Sequence, residues 1–206
     1  MSRGIRGLYA VTPDQLDDAK LAADVDAALA GGAKLVQYRN KLADPAVRRR
    51  QAKALLAICR SHGAPLIIND DTELALEIGA EGVHLGSEDE SIAATRRKLQ
   101  PQAIIGASCY SLLESARQAQ QAGATYVAFG SFFPSSVKPG AAHAPLTLLQ
   151  EAKKELALPV VAIGGITHAN APQLIAAGAD SVAVISALFS AKDIRTAALH
   201  FSKLFT

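Results

Sequence analysis

Three polar side chains lie at every second position of residues 37–41, a spacing that favours an anion-binding site. With a period of two, Gln37, Arg39 and Lys41 share one face of a strand and Val36 and Tyr38 share the other. Two cations on one face repel each other and lose hydration unless an anion lies between them. A phosphate or pyrophosphate fits, since Arg39 can grip two oxygens while Lys41 acts as a point charge. Alternatively, Arg39 pairs with a neighbouring carboxylate and Lys41 begins a solvated loop.

Carboxylates follow the next two apolar segments. Asp70 comes directly after Leu66–Asn69, and Asp89 follows Gly82–Leu85 by a few residues. We expect Asp70 and Asp89 to share one Mg²⁺, which takes one or two carboxylates together with waters and phosphate oxygens. The alternative is that Asp71, and Glu88 or Asp89, cap the helices that begin just after them.

Further groups that suit phosphate follow the later strands: Ser108, Ser135, Ser136, Lys138, Gly164, Gly165, Ile185 and Ser186. Exposed backbone N–H groups at the glycines and at the start of a helix bind phosphate, although a tight turn also explains the glycines. Ser108 is equally suited to cap the helix that begins near Leu112. The long segment 130–144 is predicted to be a lid over the site, or else a flexible surface loop. His84 is interpreted as a buried core imidazole, and Cys109 lacks the basic neighbour that a catalytic thiol needs.

The elements that must position these groups are repeated strand–helix units. Eight β-rich segments alternate with Ala- and Leu-rich helical segments such as 21–30, 46–60 and 112–122. We predict a single-domain (β/α)8 TIM barrel over residues 1–206, because eight units close a barrel and no GxGxxG follows the first strand. A doubly wound open sheet is the competing fold. The predicted strands are Gly7–Val11, Lys34–Tyr38, Leu66–Asn69, Gly82–Leu85, Ile104–Ala107, Tyr126–Phe129, Val160–Ile163 and Ser181–Ile185.

Composition narrows the class of protein. The 206 residues are 50% hydrophobic and 19% charged, and the formal net charge is +2. This balance does not favour a nucleic-acid or membrane-surface protein, whose mark is a clustered basic patch. Two distant cysteines argue against a disulfide scaffold and for a reducing compartment. With no signal-peptide core after Met1, we expect a soluble, cytoplasmic protein.

Taken in order, these segments resemble the thiamine phosphate synthase family, also called thiamine-phosphate pyrophosphorylases. The resemblance spans almost the whole chain, and its strength lies in the number of matching motifs rather than in any one of them. The matching segments are Leu8–Thr12, Val36–Lys41, Leu66–Asp70, Gly82–Gly86 with Asp89, Phe129–Gly130, Phe133–Pro134 with Lys138, Ala162–Ile166 and Val184–Ser186.

The resemblance implies an enzyme that joins hydroxymethylpyrimidine pyrophosphate to hydroxyethylthiazole phosphate with release of pyrophosphate. It implies that Arg39, Lys41 and Lys138 are catalytic, that Asp70 and Asp89 bind Mg²⁺, and that no nucleic acid or membrane takes part. A homo-oligomer is left open. The substrate-binding residues it implies are Gln37, Arg39, Lys41, Asn69, Ser108, Ser135, Lys138, Gly165, Ile185 and Ser186.

Four positions depart from the pattern frequent in that family. Ser135 and Val137 stand where many members have Thr, Tyr110 stands where His is frequent, and Ser131 replaces a frequent Pro. Two alternative functions share the barrel: an isomerase like the related thiazole tautomerase, and a non-catalytic sensor of a phosphate ligand. The complete set of charged residues argues against both alternatives, since neither would need it.

Overall fold

Eight parallel strands close into a barrel in the order in which they occur along the chain. The computed structural model describes residues 5–134 and 143–206. The strands are β1 Gly7–Val11, β2 Leu35–Tyr38, β3 Leu66–Asn69, β4 Gly82–Leu85, β5 Ile104–Tyr110, β6 Tyr126–Phe129, β7 Val160–Ile163 and β8 Ser181–Val184. The predicted (β/α)8 barrel is confirmed, and the open sheet is excluded because β1 pairs with both β2 and β8.

Helices cover the outside of the barrel. In the described part of the chain they are α1 Asp18–Ala30, α2 Pro45–Ser61, α3 Thr72–Ile78, α4 Ile92–Lys98, α5 Leu113–Gln121, α6 Thr147–Glu155, α7 Ala171–Ala176, α8 Ser186–Phe189 and α9 Ile194–Ser202. Side-chain oxygens of Asp17, Asp44 and Asp71 accept hydrogen bonds from backbone N–H groups in the first turns of α1, α2 and α3. These caps fix where each helix starts after its strand.

Strand boundaries differ slightly from those predicted. The strand β2 starts one residue later than predicted and β8 ends one residue earlier, while β5 continues through Ser108 to Tyr110 with an irregular register against β6. Apolar patterning locates the buried part of a strand but not a polar extension, because polar residues carry no hydrophobic signal.

The period of two divides the side chains between two cores. Buried side chains such as Leu8, Val36 and Ile68 pack under the helices. Tyr9, Val11, Leu35, Ile67, Ile104, Tyr126, Ala128, Val161 and Ala183 fill the barrel interior. The interior of this barrel is therefore a packed core, and the C-terminal strand ends form the floor of its mouth.

No helix in the ranges 5–134 and 143–206 combines the length and the apolar character needed to cross a membrane.

Candidate active site

The ends of β1 and β2 hold Arg39 at the rim of the mouth. Thr12 Oγ1 donates to the Arg39 carbonyl oxygen and accepts from the Arg39 N–H, both at 2.9 Å. Arg39 Nη1 lies 3.3 Å from Asp14 Oδ2, and the Lys41 N–H donates to Asp14 Oδ1 at 2.6 Å. The pairing of Arg39 with a neighbouring carboxylate, one of the two alternatives from the sequence, is therefore present. It also fixes the direction of the Arg39 guanidinium.

Lys41, Asp70 and Asp89 form the next part of the rim. Lys41 Nζ lies 3.8 Å from Asp70 Oδ2. Partial burial and the neighbouring Asp89 carboxyl raise the pKa of Asp70, while Lys41 lowers it. The sequence therefore predicted correctly that β2, β3 and β4 bring these three charges together.

Helix capping explains only one of the candidate carboxylates. Asp71 Oδ1 accepts from the Leu74 N–H at 2.9 Å and caps α3. Asp89 does not cap α4, because Ser91 holds that position, and its Oδ2 instead accepts from the Gly86 N–H at 2.6 Å. The capping alternative is wrong for Asp89, because Ser91 Oγ accepts from the Ala94 N–H at 3.3 Å and caps α4.

The donor set fits a magnesium ion that is shared with a phosphate ligand. Asp70 and Asp89 supply two neighbouring carboxylates whose mutual repulsion a divalent cation would relieve. In the described part of the chain, no cluster of three or more His, Cys, Asp or Glu residues is placed to hold a metal. A site built from two carboxylates depends on further oxygens from water or substrate, which is how Mg²⁺ is usually bound.

A polar cavity of about 330 Å³ adjoins this cluster and brings Asn69 to the same place. Lys41, Arg48 and Asp70 also line it. Arg48 Nε is buried and has no hydrogen-bond partner within the described residues. Arg48 Nη1 lies 3.7 Å from Asp71 Oδ2, so the Arg48 guanidinium is paired with a carboxylate that also lines this cavity.

Five side chains form one continuous hydrogen-bonded row across the barrel interior, which we call the interior chain. Gln37 Nε2 donates to Tyr9 OH at 2.9 Å, and Tyr9 OH lies 2.7 Å from Tyr126 OH. Tyr126 OH lies 2.8 Å from His84 Nδ1, and His84 Nε2 lies 2.9 Å from Ser108 Oγ. The row connects the end of β2 with the end of β5 beneath the mouth.

The packing around the interior chain is close. A Cβ at Gly106 would come within 2.5 Å of His84 Nδ1 and closer still to the Tyr126 ring, so β5 has no side chain where these rings stack. Burial lowers the pKa of His84 to about 4, which leaves a neutral imidazole at neutral pH. The interpretation of His84 as a satisfied core histidine is confirmed. The capping alternative for Ser108 is wrong, because Ser108 lies within β5.

The other side of the mouth is built from backbone. A cavity of about 190 Å³ lies at the ends of β7 and β8, lined by Gly164, Gly165, Ile185 and Ser186. Gly164 and Gly165 have φ values of 101° and 63°, and a Cβ at Gly165 would meet the carbonyl oxygens of residues 133 and 134. The tight-turn explanation therefore holds for the glycines, and the same turn opens the cavity.

Two further predictions concern the segment that follows Pro134, and Cys109. Ser135, Ser136, Val137 and Lys138 lie outside the described residues, as does most of the proposed lid. Cys109 is buried on the outer side of β5, and burial raises the pKa of its thiol to about 12. This supports the exclusion of a catalytic thiol.

Sequence reasoning missed Asp14, Tyr9 and Tyr126. Asp14 follows β1 by three residues on the same rim as Asp70 and Asp89, and this position was the available signal. Tyr9 and Tyr126 are 117 residues apart, and only the closed register of the barrel brings their hydroxyls together.

Comparison with known proteins identifies the family of this chain. The profile described as thiamine monophosphate synthase matches residues 8–188. The thiamine-phosphate synthase of Thiobacillus denitrificans is 57% identical over 97% of this chain and 94% of its own length. That of Chromobacterium violaceum is also 57% identical, over 94% of this chain and 93% of its own length.

The fold also matches that of a solved structure. The thiamine phosphate pyrophosphorylase from Pyrococcus furiosus superposes with a TM-score of 0.88 at 36% identity, covering 98% of this chain and 96% of its own. Each of these matches spans nearly the full length of both proteins, so the resemblance found in the motifs extends to the whole barrel. The chain therefore belongs to the thiamine monophosphate synthase family of enzymes.

Proposed function

We propose that this enzyme is a thiamine phosphate synthase that joins hydroxymethylpyrimidine pyrophosphate to hydroxyethylthiazole phosphate. The observation that carries the proposal is the cluster of Lys41, Asp70 and Asp89 at one edge of the mouth. Such a cluster suits a pyrophosphate with its cation and has no use in binding a neutral ligand. Membership of the family supports the same activity.

The pyrophosphate of the first substrate is proposed to bind on the β2–β5 side. Thr12 holds the Arg39 backbone and Asp14 pairs with the Arg39 Nη1, so the guanidinium is oriented before the ligand arrives. Lys41, and Lys138 from the segment outside the described residues, complete the positive charge. Asn69 and the Ser108 hydroxyl supply neutral donors, and Gln37 at the floor of the mouth recognises the pyrimidine.

Mg²⁺ is the proposed cofactor, held by Asp70 and Asp89. When bound there, it would neutralise charge on the leaving pyrophosphate.

The phosphate of the second substrate is proposed to bind on the β7–β8 side. The cavity at Gly165, Ile185 and Ser186 exposes backbone and one hydroxyl rather than charge, which suits a phosphate held by N–H groups. Ser135 is proposed to contact the same group. The two phosphorylated substrates would then face each other across the mouth.

This arrangement fits a dissociative transfer. The bond between the pyrimidine methylene carbon and the pyrophosphate oxygen breaks, and its electron pair leaves with the pyrophosphate. The thiazole nitrogen then forms the new C–N bond with its own lone pair. No protein nucleophile is needed, so the residues act by holding the leaving group and aligning the two rings.

A direct assay tests the proposal. Pyrophosphate release and thiamine phosphate formation should require both substrates and Mg²⁺, and each substrate alone should give neither product. Conversion of a thiazole phosphate isomer without the pyrimidine substrate would indicate the isomerase instead. Binding of either substrate without turnover would indicate the sensor. We further propose that the enzyme acts in the cytoplasm on these small molecules only.

A further inference from the structure

We propose that the interior chain positions both ends of the pyrimidine substrate as one unit, by fixing which way its hydrogen bonds run. In this view the amide orientation of Gln37 determines that Ser108 presents an O–H donor, and not a lone pair, to the pyrophosphate. Tyr9, Tyr126 and His84 are then positioning residues that link base recognition to leaving-group binding. The inference rests on the proposed function for the identity of the ligand.

With the Gln37 amide as the structure places it, counting donors gives the direction of every other bond in the row. Gln37 Nε2 donates to Tyr9 OH, so the single Tyr9 proton is free to go to Tyr126 OH. Tyr126 must then donate to His84 Nδ1. A neutral imidazole that accepts at Nδ1 carries its proton at Nε2 and donates it to Ser108 Oγ. Ser108 accepts this bond, and its own proton is left to point into the mouth.

The reverse direction is self-consistent but unsuited to the ligand. If the Gln37 amide were turned over, its carbonyl oxygen would accept from Tyr9 and every bond in the row would reverse. Ser108 would then donate to His84 and turn only lone pairs towards the mouth. An anionic pyrophosphate oxygen requires a donor there. The direction that suits the anion is therefore the one that also fixes the Gln37 amide.

The surroundings keep the row intact. Tyr9 and Tyr126 are at most 1% exposed, and their rings meet edge to face. Burial raises the pKa of both hydroxyls, so each keeps the proton that the row requires. The absence of a side chain at Gly106 leaves room for the stacked Tyr126 and His84 rings.

A double-mutant cycle tests the link. Gln37→Ala and Ser108→Ala are measured singly and together, by kcat/KM for the pyrimidine substrate, in the wild-type and Tyr126→Phe backgrounds. In the wild-type background, the loss of kcat/KM in the double variant should be about tenfold smaller than the product of the two single losses. The reason is that Gln37→Ala already frees the Ser108 hydroxyl from its fixed orientation. In Tyr126→Phe, where the row is cut, the two effects should multiply. Tyr9→Phe cuts it at the next link and serves if Tyr126→Phe does not fold.

Tyr38→Phe is the matched control, because its buried hydroxyl donates to Gln51 Oε1 at 2.8 Å outside the barrel interior. This variant should leave the Gln37–Ser108 coupling unchanged. The inference would be overturned if the Gln37→Ala and Ser108→Ala losses of kcat/KM simply multiplied in the wild-type background. It would also be overturned if the coupling between them were as large in the Tyr126→Phe background as in the wild type. A wild-type protein that makes no thiamine phosphate would instead overturn the proposed function.

The wild-type protein offers a second readout that does not depend on any variant. Nitrogen-15 NMR of His84, with inorganic pyrophosphate and Mg²⁺ bound, should show the proton on Nε2. A ring protonated on Nδ1 in that complex would reverse the row and overturn the inference.

Discussion

The two sides of the barrel mouth solve anion binding in different ways. The charged side, at the ends of β2 to β5, uses long side chains such as Arg39 and Lys41, each already paired with a carboxylate. The glycine side, at the ends of β7 and β8, uses the turn at Gly164 and Gly165 and has no charged lining residue among those described.

Because of this difference, substitutions on the two sides should affect turnover and stability differently. Arg39, Lys41 and Asp70 on the charged side can change charge without disturbing the backbone, because these side chains pair with other side chains. On the glycine side the binding surface is the backbone, so any change that moves the turn removes the surface. Charged-side substitutions should therefore lower turnover at constant stability, and glycine-side substitutions should lower both.

Asp70→Asn should have the largest effect on turnover. Loss of the metal's contribution, worth several kcal/mol, should slow pyrophosphate release by at least about a hundredfold at saturating Mg²⁺. Thermal unfolding should not move to lower temperature, because the substitution removes one of two neighbouring carboxylates. Asp193→Asn, at the N-cap of α9, is the matched control. Full activity after exhaustive chelation would refute the metal assignment.

Arg39→Ala should come next. A hydrogen bond to a charged group contributes about 1.5–3 kcal/mol, so kcat/KM for the pyrimidine substrate should fall about tenfold to a hundredfold. Arg50→Ala, which removes a similar Arg–Asp pair on the exposed face of α2, should leave activity unchanged. If Arg39→Ala unfolds the protein, the pair with Asp14 is structural and the charged side has been misassigned.

Gly165→Ala tests the glycine side. Its φ of 63° and the nearby carbonyl oxygens should together raise KM for the thiazole phosphate severalfold and lower stability by more than about 1 kcal/mol. Gly63→Ala has a φ of 67° with nothing within 4 Å of the added Cβ, so it shows the backbone effect alone. Equal losses of stability in the two variants would mean that the turn has room to spare.

The smallest signal is expected from chemical labelling of the two cysteine thiols in the native protein. Burial raises the pKa of both Cys59 and Cys109 to about 12, so neither should react with a thiol-specific reagent in the native protein. Both should react after unfolding. Fast native labelling of Cys109, beside Ser108 on the charged side, would show that β5 is more open than its packing indicates.

Much of this fold could be predicted because the barrel repeats a simple pattern. Strands β3, β4, β6 and β7 begin and end where their apolar segments do. The rim location of Asp70 and Asp89 followed from the rule that parallel strands end at one edge. These are local signals, and local signals are what a sequence carries directly.

What the sequence did not indicate depends on closure. The contact between Tyr9 and Tyr126 exists only because β1 and β6 face each other across a filled interior, a distance set by strand number and register. Asp14 was missed because a loop residue gives no periodic signal. Ruling out the helix-capping role of Ser108 required knowing that β5 continues past Ala107.

The missing side chain at Gly106 constrains how this barrel can diverge. The rings of His84 on β4 and Tyr126 on β6 occupy the space that a side chain at Gly106 on β5 would fill. Alanine at Gly106 is blocked while both rings are present, and a smaller residue at either ring leaves a hole until Gly106 changes. The three positions are therefore expected to covary, and the order in which they can be exchanged is restricted.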